Sequence, residues 1–471
     1  MNIIGANQEE QNIKEKKLMR NIIIAIITLF VVSIILAITI YYLTSQLFKL
    51  NVDGQRKSMP ANDLFVYDGD TIYVSLKDVA ELIGYKYNQG GYKEYNEDPD
   101  KCYLESSNEI CTFEEDEDTI YKTPVNTIDY EYFTIDVPIK RINDKLYITS
   151  TGLELACNLT FNRNIDTNTI TINTVTYYAN YYTKNNKYSA VSKKFNNQKA
   201  ILYGLLVTQS IDNTDRNQSG TIYYGISNLN GEEKVGKKYI DIDFIESTQE
   251  FIVKTIENKV GIITSDGDTK VAPQYDSMKQ IDKDLNLYLV VSNNKQGVIE
   301  RNGKTLIYPE YDKIGIDSTL YQGNNIKNPY LLFNNAIPVQ QNGKWGLYDK
   351  KGNKILELEY DGIGCTANSN STNNIVIIPS IKTIIMAKEY ETTDRRRTTY
   401  YGFVNYLGRE IVGTGLQRVY STVNNGRREY FMDYNGTTYN VIENIRKIEP
   451  KLDELNDESK ANKTTEEIRN S

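Results

Sequence analysis

The residues that could carry chemistry in this 471-residue chain are carboxylates, tyrosines, serines and four cysteines, because histidine is absent. Without imidazole there is no Ser-His-Asp or Cys-His pair, no His-ligated zinc and no type-2 copper site. Chemistry based on a serine–lysine pair, on paired carboxylates or on a tyrosine stays open. The acidic residues that recur do so once per repeat, as scaffold residues do. We therefore predict a non-enzymatic protein with no catalytic residue, no metal and no cofactor.

Two of the cysteines are candidates for a disulfide. Cys102 and Cys111 lie symmetrically about Ser106-Ser107, so we expect them to face each other across a hairpin. An exported location would permit the bond, and two free, half-buried thiols are the alternative. The acidic run at 114–118 lacks the spaced ligands and the glycine of a calcium loop, which favours a solvated turn.

The element that would attach the rest of the chain to a membrane is a hydrophobic N-terminal segment. Residues 22–43 contain no charged side chain and are long enough to cross a bilayer. A cleaved signal peptide has a shorter apolar core, so we predict a transmembrane helix over 21–43 whose partner is the lipid bilayer. The slight excess of Lys and Arg before the helix places residues 1–20 in the cytoplasm and the C-terminal part outside the cell. The predicted location is the cell membrane, with a single pass.

A duplication follows the membrane helix. Residues 70–85 and 144–159 match at an offset of 74, and each reads as a strand followed by an amphipathic helix. Each copy has a candidate cap at both helix ends, namely Ser75 and Gly84 in the first and Thr149 and Asn158 in the second. Residues 60–175 resemble the copper amine oxidase N-terminal-like stalk domain of exported bacterial proteins. That resemblance implies a spacer or surface-binding module, and the missing histidine argues against copper.

A second repeat system occupies about residues 200–446. Five glycines are each followed by another glycine six residues later: Gly225 and Gly231, Gly261 and Gly267, Gly297 and Gly303, Gly346 and Gly352, Gly402 and Gly408. A tyrosine–aspartate pair comes fourteen residues after the first glycine in three copies: Tyr275-Asp276, Tyr311-Asp312 and Tyr360-Asp361. A decayed sixth copy surrounds Asn435-Gly436.

Each unit predicts three or four short strands, because its turn residues separate apolar runs. The first glycine lies inside a strand, which indicates a bulge or a close backbone approach. A unit of this size has too little apolar surface to fold alone, so stacking of copies must bury the core. Trp345-Gly346 followed by the acidic turn and Tyr360-Asp361 resembles the WG (KWG) repeat, although the other copies lack the tryptophan.

The predicted fold class is mainly β: one transmembrane helix, a small α+β stalk domain, and a β-repeat array that is β-propeller-like or, alternatively, a β-solenoid. The strand at 200–209 could complete the last blade of a ring. Residues 449–471 are polar and predict a disordered tail.

We expect a cell-surface binding or scaffold protein whose repeats face cell-wall glycan or other surface proteins. The alternative is a glycan-active hydrolase that uses carboxylates on a β-propeller. The absence of a sialidase-type Ser-x-Asp-x-Gly-x-x-Trp box from the sequence argues against this alternative. The net charge of −8 and the lack of a basic stripe exclude nucleic acid as a partner.

Overall fold

The computed structural model describes residues 3–45, 49–57, 64–90, 98–125, 130–186, 189–212, 220–317, 326–365, 374–391, 395–424, 427–460 and 463–470. The chain divides into two compact units, residues 1–237 and residues 238–471. The fold is mainly β, as predicted.

The chain begins with one long helix, α1 (Ile3–Ser45). Its segment Lys14–Thr39 contains an 18-residue window with a mean hydropathy of 3.1, and no other described part of the chain buries that window. A helix of this length and composition can cross a membrane. An uncleaved anchor and a signal sequence share these features at an N-terminus. The helix extends beyond the predicted span, 21–43, at both ends.

The rest of the first unit begins with thirteen described strands and two short helices. The strands are β1 (Lys49–Val52), β2 (Gln55–Lys57), β3 (Phe65–Asp68), β4 (Thr71–Ser75), β5 (Lys86–Gln89), β6 (Lys101–Glu105), β7 (Glu109–Glu114), β8 (Thr119–Pro124), β9 (Glu131–Thr134), β10 (Lys140–Ile142), β11 (Lys145–Thr149), β12 (Thr160–Asn164) and β13 (Thr169–Asn173). The helices are α2 (Leu76–Ala80), continued by a 3-10 turn at Glu81–Ile83, and α3 (Ser150–Cys157). They form three sheets, with strand orders β12-β13-β1-β2, β10-β11-β4-β3 and β5-β6-β7-β8-β9.

The two duplicated segments pair directly with each other. Strands β4 and β11 are antiparallel, with Val74 opposite Ile148. Ser75 accepts a hydrogen bond from the Asp78 backbone N–H, and the Thr149 hydroxyl accepts one from the Gly152 N–H, so both predicted N-caps form. The residues that end the two helical segments, Gly84 and Asn158, are left-handed, with φ of 80° and 49°. Equivalent local signals therefore build two copies of one element.

The predicted face-to-face pairing of Cys102 and Cys111 is wrong. Cys111 lies opposite Leu104, and Cys102 lies opposite Phe113. The turn contains four residues, since the Ser106 N–H donates to the Glu109 carbonyl, and this moves the centre of the hairpin by one residue. All four cysteines of the chain are free and buried.

The repeat array consists of successive antiparallel sheets, which we number 1 to 6. Their strands are β14 (Ser189–Val191), β15 (Leu205–Asp212), β16 (Thr221–Asn228) and β17 (Glu233–Tyr239) in sheet 1; β18 (Asp241–Ile245), β19 (Glu250–Lys254), β20 (Val260–Ile263) and β21 (Thr269–Tyr275) in sheet 2; β22 (Ser277–Asp282), β23 (Leu287–Ser292), β24 (Lys295–Glu300) and β25 (Thr305–Tyr311) in sheet 3; β26 (Lys313–Ile314), β27 (Ile337–Gln341), β28 (Lys344–Tyr348) and β29 (Lys354–Tyr360) in sheet 4; β30 (Gly362–Ile363), β31 (Ile377–Ile378), β32 (Thr383–Glu391), β33 (Arg397–Asn405) and β34 (Glu410–Leu416) in sheet 5; and β35 (Arg418–Asn424), β36 (Arg427–Tyr434) and β37 (Thr437–Asn440) in sheet 6.

Helices and 3-10 turns flank the array. They are α4 (Val175–Asn185) before it; α5 (Phe195–Gln198) and a 3-10 turn at Lys199–Tyr203 between β14 and β15, and a 3-10 turn at Pro379–Ile381, within it; and α6 (Val441–Ile448), α7 (Leu452–Leu455), a 3-10 turn at Glu458–Lys460 and α8 (Thr465–Asn470) after it. Within the second unit, each hydrophobic core cluster is shared by two successive sheets, such as Ile262 of sheet 2 with Val290 of sheet 3. Stacking therefore buries the core, as the short repeats require.

Two expectations about the ends of the array are wrong. The leading strand β15 already has neighbours on both sides, β14 and β16, so it does not complete a last blade. Residues 449–471 are not a disordered tail where they are described. Leu452, Leu455 and Ile468 are buried in the core of the last sheets, because short helices bring these widely spaced apolar side chains to one surface.

Candidate functional site

The first glycine of each repeat lies on the third strand of its sheet, where sheet 5 is counted along its main order β30-β32-β33-β34 and β31 only pairs with β32. A Cβ atom at any of the five would come within 3.0 Å of the backbone carbonyl oxygen ten residues later, on the fourth strand. For Gly346 this distance to the Leu356 oxygen is 2.6 Å. The register between the third and fourth strands shifts at this point in sheets 2 to 5. These glycines therefore permit the close backbone approach at a bulge that the sequence predicts.

The second glycine of each repeat forms the turn between the third and fourth strands. All five have positive φ, between 78° and 94°. In sheet 4 a Cβ on Gly352 would lie 2.5 Å from the carbonyl oxygen of Leu306, which belongs to the preceding sheet. Glycine is thus favoured at these positions for two reasons. The turn needs a left-handed backbone conformation, and in the later repeats the backbone lies in contact with the neighbouring repeat.

The tyrosine–aspartate pairs connect each sheet to the next. The three tyrosines are buried at the end of the fourth strand. Asp312 shows the role of the aspartates: its carboxylate lies 2.5 Å from Lys295 Nζ and accepts the Asn342 backbone N–H at 2.6 Å. Asp276 and Asp361 make the equivalent contacts in their repeats. The recurring polar residues are therefore structural links between sheets.

We predict that these links make the array sensitive to acid. The Lys295 ammonium and the Asn342 N–H hold the pKa of Asp312 below its ordinary value, and Lys259 does the same for the pKa of Asp276. A lowered folded pKa gives stability above the unfolded pKa of about 3.9 that is lost as the pH falls through the folded pKa. We therefore expect the double variant D276N/D312N to show a smaller drop in Tm between pH 7 and pH 3 than the wild type.

The control for this prediction is Asp284→Asn, at an exposed aspartate outside these links. It should keep the wild-type dependence of Tm on pH. An equal acid-induced drop in Tm for the double variant and the wild type would contradict the structural role of the links.

The most complete candidate binding site is a groove beside Trp345, which we call the Trp345 groove. It encloses about 300 Å³ and is lined by residues of sheets 4 and 5 and their connections, among them Lys313, Trp345, Asp361, Glu389, Thr399 and Tyr401. Trp345 and Tyr401 occupy the same motif position, directly before the first glycine, in successive repeats. The repeat geometry therefore brings two aromatic positions to one groove.

The charges of the Trp345 groove are mostly engaged by neighbours. Asp361 is paired with Lys344, and Glu389 lies 3.5 Å from Arg397. Lys313 Nζ lies 5.9 Å from the centre of the Trp345 ring, within reach of a cation–π contact. Trp345 is only 8% exposed, so little of its surface can contact a ligand. The groove can present hydrogen-bonding groups beside two aromatic side chains.

An exposed aromatic surface at strands β8 and β9 was missed from the sequence. Tyr121, Tyr130 and Tyr132 are 44%, 62% and 68% exposed, and the Tyr121 ring lies 5.8 and 6.3 Å from the other two rings. The signal was the alternation Tyr130-Glu131-Tyr132, because residues two apart on a strand share a face. Tyr121 is opposite Tyr132 on the neighbouring strand β8.

Within the described part of the chain, no group of three or more Cys, Asp or Glu side chains is placed to hold a metal ion. The acidic run at 114–118 is partly engaged in ion pairs, with Glu114 near Lys101 and Glu115 near Arg141.

Comparisons with solved structures give distant similarities. The crystal structure of a eukaryotic initiation factor is 9% identical, with a TM-score of 0.25, over 69% of this chain and 85% of the other. The WD40 β-propeller domain of Doa1 is 8% identical, with a TM-score of 0.18, over 70% and 88%. PorZ, a bacterial surface component of the type-IX secretion system of Porphyromonas gingivalis, is 9% identical, with a TM-score of 0.18, over 71% and 51%. These values are too low to carry a function to this chain.

Comparison with curated proteins gives no match. The model of the WG containing repeat matches residues 297–317 and 345–371. These two segments contain the complete glycine pairs of sheets 3 and 4, and the second begins at Trp345. The repeats of these two sheets thus match the WG containing repeat.

Proposed function

We propose that this protein is a membrane-anchored binding protein whose WG-type array presents the Trp345 groove to cell-wall glycan outside the cell. The observation that carries the proposal is the convergence of two aromatic motif positions, Trp345 and Tyr401, on a groove with polar side chains around them. Aromatic side chains beside hydrogen-bonding groups suit a ligand rich in hydroxyl groups. The N-terminal helix would be the anchor, and the stalk would be the spacer that its family resemblance implies.

The proposed role is binding without catalysis. Glycoside hydrolysis requires two carboxyl groups that face the scissile bond, one of them free to act as an acid. In the Trp345 groove Asp361 and Glu389 are held in ion pairs, and Asp317 also has an interaction partner. This arrangement supports a scaffold rather than the hydrolase alternative.

A binding measurement tests the proposal on the full chain in detergent, with soluble peptidoglycan fragments as the probe. Thr399 lines the groove, so Thr399→Arg should fill it and raise the Kd at least about tenfold, or ~1.4 kcal/mol. Thr398→Arg is the matched control, because the neighbouring residue on a strand points to the other face. It should bind as the wild type does.

Three outcomes would contradict the proposal. The wild-type protein could fail to bind the fragments, the two arginine variants could bind equally well, or the wild type could release new reducing ends from the glycan. The last result would favour a hydrolase.

A further inference from the structure

The stalk contains a fully buried pair of opposite charges. Lys122 on β8 and Glu109 at the start of β7 have side chains that are 1% and 2% exposed, and Lys122 Nζ lies 3.3 Å from Glu109 Oε2. Burying two charges costs more than their attraction returns unless the geometry is very good. Passage of one proton from the ammonium to the carboxylate would neutralise both groups and leave a nucleophilic amine.

A side-chain amide faces this lysine. Lys122 Nζ donates to Asn158 Oδ1 at 2.9 Å, and Asn158 is itself 1% exposed. With a C=O bond of ~1.23 Å, the amide carbon is therefore at most about 4.1 Å from the amine nitrogen. Asn158 Nδ2 is buried and has no hydrogen-bond partner among the described residues. The amide is held by its oxygen, and its nitrogen is left unbound.

The helix cap alone does not require this asparagine. Asn158 ends helix α3 in the left-handed conformation, and Gly84 does the same in the other copy of the duplicated segment. A glycine satisfies that backbone geometry without a side chain. The Asn158 amide is thus an addition specific to the copy that faces the buried lysine.

The surroundings bury the three groups and hold them in place. The ring of Phe195 lies 5.3 Å from Lys122 Nζ, and the Leu155 carbonyl oxygen lies 3.4 Å from it. The Tyr85 hydroxyl donates to Glu109 Oε1 at 2.5 Å, and burial raises the pKa of Tyr85 so that it stays a donor. A cavity of about 340 Å³ borders Tyr85 and Glu109, which gives a small leaving molecule a route out.

We propose that Lys122 and Asn158 become joined by an intramolecular isopeptide bond, with Glu109 as the proton-transfer group. Glu109 takes a proton from the Lys122 ammonium, and the neutral amine attacks the amide carbon of Asn158. A C–N bond forms and the C–Nδ2 bond breaks, while Glu109 relays protons from the attacking to the leaving nitrogen. The ammonium, the carboxylate and the primary amide become a secondary amide, a carboxylic acid and one molecule of ammonia.

This bond would tie strand β8 to the end of helix α3 in the second duplicated segment. It closes a loop of the chain between residues 122 and 158, which restricts the unfolded state as a disulfide does. No oxidant is needed, so the link would form in a stalk whose three cysteines, Cys102, Cys111 and Cys157, are free.

Mass spectrometry of the purified full chain in detergent tests the proposal directly. The intact mass should be lower than that of the sequence by one ammonia. Trypsin should not cut after Lys122, and the digest should contain a branched peptide that joins residues 102–140 to residues 146–163. Linear peptides that end at an unmodified Lys122, with no branched peptide, would overturn the proposal.

Variants assign the role of each group. Asn158→Gly restores the residue of the other copy, so it should fold and show no branched peptide. Glu109→Gln keeps the shape of the side chain and should reduce the cross-linked fraction at least tenfold. Lys101→Met, at a partly exposed lysine on strand β6 of the same sheet, should leave that fraction unchanged. An equal cross-linked fraction in the Glu109→Gln variant and the wild type would overturn the role of Glu109.

Discussion

Replacing Gly352 by alanine should destabilise the repeat array by about 3–5 kcal/mol, which is at the upper end for a single substitution. Gly352 has a φ of 86°, where an alanine costs about 1–2 kcal/mol. Its new Cβ would also lie 2.5 Å from the Leu306 carbonyl oxygen and 3.1 Å from the Leu306 Cα. Both are backbone atoms of the preceding sheet, so the two sheets must separate to relieve the contact.

Gly343 in the same sheet provides the matched control. Its φ is 78°, and a Cβ there would meet nothing within 4 Å. Gly343→Ala should therefore cost only the backbone strain, about 1 kcal/mol. Denaturant unfolding of the full chain can be followed by the fluorescence of Trp345, the single tryptophan, on the strand that follows Gly343. Equal losses of stability in the two variants would contradict the contact between sheets.

Replacing Gly402 by alanine should cost about 3 kcal/mol for a different reason. Gly402 lies within strand β33, outside the left-handed region, so backbone strain plays no part. Its Cβ would approach the Val412 carbonyl oxygen at 2.7 Å and the Thr414 nitrogen at 2.9 Å, across the bulge to strand β34. The fourth strand would have to move away, which breaks the hydrogen bonds that it makes at the bulge.

Gly413→Ala is the matched control for Gly402→Ala, because it makes the same substitution at a glycine without a close backbone neighbour. It lies in β34 of the same sheet, and a Cβ there would first meet the flexible Glu410 carboxylate, at 3.4 Å. Gly413→Ala should change the free energy of unfolding by about 0.5 kcal/mol or less. If Gly402→Ala were equally mild in denaturant unfolding, the first glycine would not mark a close backbone approach.

The features that were predicted from the sequence are those determined by neighbouring residues. The caps at Ser75 and Thr149 depend on a hydroxyl and a backbone N–H three residues apart. The turn glycines such as Gly352 depend on a positive φ that other residues adopt at a cost. Strand alternation and helix periodicity are similarly local, so the mainly β class and the repeat unit follow from the order of residues alone.

The predictions that were wrong required knowledge of packing or of a specific turn. The cysteine hairpin changed register because Ser106 to Glu109 forms a four-residue turn, which a symmetric reading of the cysteines does not indicate. The polar C-terminal segment folds because Leu452, Leu455 and Ile468 find an apolar surface on the last sheets. The average composition of the segment is polar and hides these few apolar residues. Whether each of them is buried depends on the surface that it contacts in the folded chain.

The sequence by itself determined the long apolar helix, the duplicated strand–helix element and the glycine pairs of the array. Only the tertiary structure brought Trp345 and Tyr401 to one groove, and Lys122, Glu109 and Asn158 to one buried cluster. The three residues of that cluster come from two strands and the end of a helix, and no spacing in the sequence signals their meeting. Contacts between distant segments are decided by how whole elements pack, because a backbone conformation chosen locally does not specify which faces will be opposed.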